Sequence, residues 1–234
     1  MTPVVAAPET PPVAARAVPR PPAGVRLYRL LVWLGVPLRW WCRLEVAGHD
    51  VLPPTGAGVL IVANHDSWLE PLALGDTLMR GGRPLRFLAK DSLWRLRPVA
   101  AVLDGIRQIP LRRGAGDVAA LQAAVDALAD GEAICIFPEG TISRGRALRA
   151  RRGVARLAEA APEAEIVLAA VAGGTDLLRF PRRPRLHVTL FRATRPLPDP
   201  GADHAAYARA LLDEIRQRVP PAAGPGRRPR PAGS

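Results

Sequence analysis

Three unbroken apolar runs, each bounded by polar residues, constrain the fold most. They are "GVLIVAN" (Gly58–Asn64), "EAICIF" (Glu132–Phe137) and "EIVLAAVA" (Glu165–Ala172). A run without alternation is the signature of a strand covered on both faces. Between such runs lie segments of helical character. "GDVAALQAAVDALADG" (Gly116–Gly131) opens on Asp117 and closes on Gly131, a start and a stop signal. Further strands are expected at Leu44–Ala47, Leu85–Ala89, Ile106–Leu111 and Arg185–Ala193. Further helices are expected at Leu69–Met79, Arg152–Ala161 and Asp203–Val219, with helical or irregular structure across Trp94–Leu103. Repeated strand–helix alternation with doubly covered strands predicts an α/β fold. It is a single domain whose largely parallel, buried sheet is flanked by helices.

The ends do not share this patterning. Residues 1–24 and 220–234 are Pro-rich and lack any period, and read as flexible tails. The first also lacks the basic start and continuous apolar run of a signal peptide. Residues 25–43 precede the domain proper, 44–219. In Val25–Cys42, Leu27, Leu30, Leu31 and Leu34 recur at helical spacing, and Trp33, Trp40 and Trp41 lie beside Arg26, Arg29, Arg39 and Arg43. Arg29, Pro37 and Arg39 interrupt the roughly 20 apolar residues that a membrane span requires. An amphipathic helix docked at a membrane headgroup boundary is the favoured reading, with a helix packed on the domain as the plain alternative.

The formal net charge is +12, and only +1 and +3 of it fall in the two tails, so +8 belongs to the body. Such a field attracts an anionic membrane surface, a phosphorylated substrate or nucleic acid. Aromatics are only 5% and none interleave with the tracts Arg149–Arg152 and Arg179–Arg185. Without stacking platforms no nucleic acid is expected, although a non-catalytic basic binding protein remains the rival class. Cys42 and Cys135 form no CxxC or Cys/His ligand spacing, which gives no support for a metal site or a disulfide and suits a reducing, cytoplasmic setting.

In parallel sheets ligands bind beyond the carboxyl ends of the strands. Three polar clusters fall there: Asn64-His65, Arg112-Arg113 and Pro138-Glu139-Gly140-Thr141. His65 is a candidate general base, and Glu70 a carboxylate that would fix its tautomer. That pair belongs to hydrolase triads, but no G-x-S-x-G nucleophile turn exists, so the activated hydroxyl would be the substrate's. The alternative is a helix cap, since "SWLE" (Ser67–Glu70) matches a capping box, although Pro71 would then lack the first intrahelical donor. "FPEGTISRG" (Phe137–Gly145) offers a turn rich in N–H groups, with Thr141, Ser143 and Arg144, that suits phosphate oxygens or is an ordinary polar turn. "PLRRG" (Pro110–Gly114) offers two guanidiniums for bidentate phosphate contact, or a solvated basic loop.

Together, "NHDSWLE", "IPLRRG" and "FPEGTIS" resemble, in family order, the Asn-His-x-x-x-x-Asp, "IPVDRG"-like and "FPEGTRS" blocks of the lysophosphatidic acid acyltransferase family. "FLAKDSLW" (Phe87–Trp94) and "RRGVARLA" (Arg151–Ala158) are similar to flanking segments, so the resemblance spans roughly Leu44 to Ala193. It implies transfer of a fatty acyl group from acyl-CoA or acyl carrier protein to a lysophospholipid hydroxyl, 1-acylglycerol-3-phosphate giving phosphatidate, with no cofactor. By the same resemblance His65 is the base and Glu70 replaces the family's aspartate. Arg113 holds the acceptor phosphate, Lys90 adds to its field, and Glu139, Gly140 and Thr141 shape the acceptor pocket. Arg112, Ser143 and Arg144 complete the substrate-binding set. The N-terminal helix would dock the protein, peripherally or monotopically, on the cytoplasmic face of the membrane. Three departures stand out: Glu70 is one methylene longer than aspartate, Ile142 replaces an arginine, and Arg112 stands where an acid is common. Either Arg112 or Arg144 compensates for Ile142, or the acceptor head group differs.

Overall fold

A computed structural model describes residues 25–34, 40–112, 117–174 and 185–219. Its strands are β1 (Leu44–Ala47), β2 (Val59–Ala63), β3 (Leu85–Lys90), β4 (Ile109–Leu111), β5 (Ala133–Ile136), β6 (Glu165–Ala172) and β7 (Leu186–Phe191). They form one sheet in the order β1-β7-β6-β2-β5-β3-β4, parallel throughout except between β6 and β7. The three apolar runs are its centre: β2 pairs with β5 on one side and β6 on the other. Every side chain of β2 is buried, Leu60 and Val62 on one face, Val59, Ile61 and Ala63 on the other. Each such large apolar side chain contributes about 1.5–3 kcal/mol when fully buried. That two-sided cover explains why the sequence does not alternate.

Among the described residues, the cover includes the helices α1 (Val25–Leu34), α2 (Glu70–Arg80), α3 (Arg97–Gly105), α4 (Val118–Ala129), α5 (Gly153–Ala160) and α6 (His204–Arg218). Leu69, Leu74 and Leu78 of the α2 region pack on one face of the sheet. Helices α4, α5 and α6 pack on the other through Ala124, Leu157, Leu211 and Ile215 among others. The start signals hold: Asp117 accepts from the Ala120 amide, and Asp203 from those of Ala205 and Ala206. Strand β4 is shorter than the expected Ile106–Leu111, because the Ile106 amide closes α3 on the Val102 carbonyl and Arg107 turns at φ 57°.

Helix α1 is seated on the domain by one face. Tyr28 is buried against α2, where a Cβ on Gly75 would lie 2.5 Å from its hydroxyl, and Leu27 meets Gly105 of α3. The opposite side leaves Leu30 and Trp33 exposed, and Trp40 is exposed just beyond. Among the described residues, no helix is long and apolar enough to cross a membrane.

Candidate active site

Because β2 lies between β5 and β6, the segments that leave these three strands emerge together at one end of the sheet. They are Asn64–Glu70, Phe137–Gly145 and Gly173-Gly174. Asn64 ties the first to the third: its side chain donates to the Val171 carbonyl (2.9 Å) and accepts from the Val171 amide (2.8 Å). The next residue, His65, is thereby presented at the strand tip. Its ring stacks on Phe137 at 4.2 Å between centroids, and Phe87 lies parallel behind Phe137.

His65 Nδ1 lies 3.4 Å from Oε2 of Glu70, whose carboxylate is fully buried while the imidazole is 13% exposed. Catalytic hydrogen bonds of this length are common in ligand-free sites and tighten with substrate. The same carboxylate also accepts from the Ser67 amide (2.7 Å) and the Ser67 hydroxyl (2.9 Å). The two readings of Glu70 therefore coexist, one carboxylate bracing both the turn and the ring. The helix itself begins at Glu70, which moves Pro71 into the first turn, where its missing N–H costs nothing.

The Pro138–Gly145 turn does something other than the phosphate cradle its N–H groups suggest. The Ser143 amide donates to the His65 carbonyl (2.7 Å) and the Arg144 amide to the Asp66 carbonyl (3.2 Å). In return the His65 amide donates to Glu139 Oε2 (2.7 Å). The turn is thus a clamp on the backbone that carries the histidine. Glu139 and Ser143, expected to meet substrate, are buried inside this clamp, and neither lines the cavity described below.

Two residues not singled out from the sequence complete the clamp. Arg216, in the last turn of α6, forks onto Asp66 (2.9 and 2.7 Å) and bonds Glu139. Asp66 also accepts from Ser143 and from Asn64 (2.9 Å). Burial pushes the Asp66 carboxyl up, but the Arg216 and Ser143 hydrogen bonds outweigh it and hold the group below its ordinary range. A carboxyl lowered in this way stabilises the fold above the ordinary aspartate range and loses that contribution as pH falls through its folded value. Acid unfolding should therefore be steeper below about pH 4 in the wild type than in Asp66→Asn, read by circular dichroism. The one available signal for Arg216 was position: it lies one turn beyond Leu212 on the buried face of α6, where a charge needs a partner.

The dyad opens into a cavity of about 900 Å³, within the range of ligand sites. Its wall is mainly apolar, with Tyr28 and Leu31 of α1, Leu72 of α2 and Leu93 among the contributors. Gly140, Thr141, Lys90 and Arg144 of the expected set line it, and so do Arg146 and Arg151, which were not expected. No ion pair with an acid involves these four cations among the described residues, leaving their charge available to an anion. Ile142 also faces the cavity. Arg112 is exposed at the end of β4, with its amide on Asp117, and is not part of the wall; Arg113 lies outside the described residues.

A histidine–glutamate pair beside a cavity lined by cations lies in the chain that the family model described as Acyltransferase matches over residues 43–172. The chain belongs to the acyltransferase family. A lyso-ornithine lipid O-acyltransferase of Pseudomonas aeruginosa is 31% identical over 211 residues, covering 76% of each chain. A 1-acyl-sn-glycerol-3-phosphate acyltransferase of Bacillus subtilis is 26% identical over 115 residues, 46% of this chain and 57% of that one. The crystal structure of the 1-acyl-sn-glycerophosphate acyltransferase PlsC from Thermotoga maritima shares the fold. Its TM-score is 0.60 at 20% identity, over 84% of this acyltransferase and 79% of that chain. Both Gly174 and Arg216 fall outside the segment that the family model matches.

Proposed function

We propose that this acyltransferase moves a fatty acyl group from a thioester, of coenzyme A or of acyl carrier protein, to the free hydroxyl of a lysolipid. The observation that carries the reading is the buried Glu70 carboxylate on Nδ1 of His65 at the mouth of a largely apolar cavity. With Nδ1–H directed to Glu70, Nε2 is the ring nitrogen left to take the proton from the acceptor hydroxyl. The oxygen attacks the thioester carbonyl, Glu70 stabilises the imidazolium, and collapse expels the thiolate, which recovers the proton from His65. An ester and a thiol result, with no covalent enzyme intermediate and no metal or cofactor in the scheme.

The acceptor proposed first is 1-acylglycerol-3-phosphate, its phosphate held by Lys90, Arg144, Arg146 and Arg151, with Arg113 as the further cation of the second block. A second acceptor is favoured by one observation: Ile142 puts an apolar side chain on the cavity wall beside these cations. This suits a head group with less anionic charge, such as the amino-acid head of a lyso-ornithine lipid. Incubating the purified protein with acyl-CoA and a panel of lysolipids, followed by product mass analysis, separates the two. Acylation of none of them would refute the reading.

We infer that the protein docks on an anionic membrane, on its cytoplasmic face; the exposed side of α1 supports the docking, as do Trp68 and Leu72, exposed side chains that line the cavity. Loss of a bound large apolar side chain weakens partitioning by about tenfold or more. Trp33→Ala should therefore reduce sedimentation with phosphatidylglycerol vesicles by at least that factor, at unchanged Tm, since Trp33 is exposed. Unchanged sedimentation would place docking elsewhere.

A further inference from the structure

We propose that Gly174 is a positioning residue of the active site: its missing side chain makes the space in which the Glu70 carboxylate reaches His65. The inference rests on the reading of His65 and Glu70 as the base pair, and adds a residue to it.

The Glu70 carboxylate is enclosed from two directions. Ser67 holds it from its own turn, through amide and hydroxyl. Gly174, which follows β6, closes the other side, and the approach is tighter than any side chain permits. A Cβ on Gly174 would lie 2.2 Å from Glu70 Oε1, 2.7 Å from Ser67 Oγ and 3.4 Å from Glu70 Cδ. Both oxygens of Glu70 are engaged, so the carboxylate has no free direction in which to swing without giving up Ser67 or His65. The neighbouring Gly173 differs in kind. Its φ is +87° and a Cβ there would strike the Arg185 carbonyl at 1.8 Å, so that glycine serves the backbone. Gly174 has no such backbone demand, its φ lying outside the left-handed region. An added methyl at 174 therefore acts on Glu70 and Ser67 rather than on the chain path. An aspartate at position 70 would end one methylene short of that methyl, so Glu70→Asp and Gly174→Ala should relieve one another.

The test compares wild type, Glu70→Asp, Gly174→Ala and the double variant by kcat and KM for the acceptor, by Tm, and by ¹⁵N NMR of the His65 ring. The ring-nitrogen shifts report which nitrogen carries the proton in the neutral imidazole. Gly174→Ala should lower kcat on the order of 10²-fold, as a misplaced catalytic group does, with little change in acceptor KM, and should shift the ring away from the Nδ1–H tautomer. Adding Glu70→Asp should return kcat to within a few-fold of Glu70→Asp alone and restore the tautomer. Wild-type kcat in Gly174→Ala, or equal losses with and without Glu70→Asp, would overturn the proposal. Should Gly174→Ala alone fail to fold, the double variant decides: it folds and turns over if the clash lies at the carboxylate, and fails alike if it lies in the backbone. The NMR arm keeps the two readings apart. If wild type acylates no lysolipid while the tautomer still moves and returns, the function is wrong and the positioning role stands. An active wild type whose ring ignores residue 174 gives the converse.

Discussion

Arg216→Met is expected to lower the free energy of unfolding by about 3–5 kcal/mol, the usual cost of removing one partner from a buried ionic cluster. The side chains of Arg216, Asp66 and Glu139 are 11%, 7% and 0% exposed, so water cannot replace the lost guanidinium. Asp66 and Glu139 would be left as buried carboxylates without their cation, and Glu139 is the acceptor for the His65 amide. A loss of this size is a large share of a domain's 5–15 kcal/mol. Urea titration measures it as a lower midpoint at constant slope. Arg216→Lys should fall between, since an ammonium keeps the charge but not the fork that spans both carboxylates. Neutralising the whole cluster with Asp66→Asn and Glu139→Gln in the Arg216→Met background should recover part of the loss. A change below about 0.5 kcal/mol in Arg216→Met, the range of ordinary surface substitutions, would show that the cluster is not what joins α6 to the site.

His65→Ala is expected to lower kcat by about 10²–10⁴-fold, the range of a general base, at nearly unchanged stability and acceptor KM. Glu70→Gln should be costly too, because an amide cannot stabilise the imidazolium. Glu70→Asp, which keeps the charge but shortens the reach, should cost much less. Equal and mild effects of the two Glu70 variants would reduce Glu70 to its bond with the Ser67 amide, the capping role alone. Steady-state rates of thiol release and ester formation, measured together, decide between them.

What could be read from the residues and what could not divides by sequence separation. The runs at Val59, Ala133 and Glu165 are local signals, and they define the three central strands within a residue or two. His65 and Glu70 lie five residues apart at a strand tip, so a strand followed by a helix brings them together without long-range information. The clamp is different. Glu139 is 74 residues from His65, and Arg216 is 150 from Asp66. Only the sheet order puts β5 beside β2 and α6 across their ends, and no local pattern encodes that order. For the same reason the N–H groups of Pro138–Gly145 pointed to phosphate when read alone, whereas in the fold the amides of Ser143 and Arg144 are taken by the His65 and Asp66 carbonyls. Helix α1 is the intermediate case: its Trp/Arg face was visible in the sequence. Its other face, seated through Tyr28, depended on Gly75, about 50 residues away.

Mass spectrometry on a single mixture of protein, acyl-CoA and a lysolipid in vesicles tests the central claim most directly, because it reads both product and enzyme. A diacyl product from wild type, near-absent with His65→Ala, together with an enzyme mass that never gains an acyl group, is the result expected of direct attack driven by His65 and Glu70. An acylated enzyme, or undiminished product from His65→Ala, would contradict it.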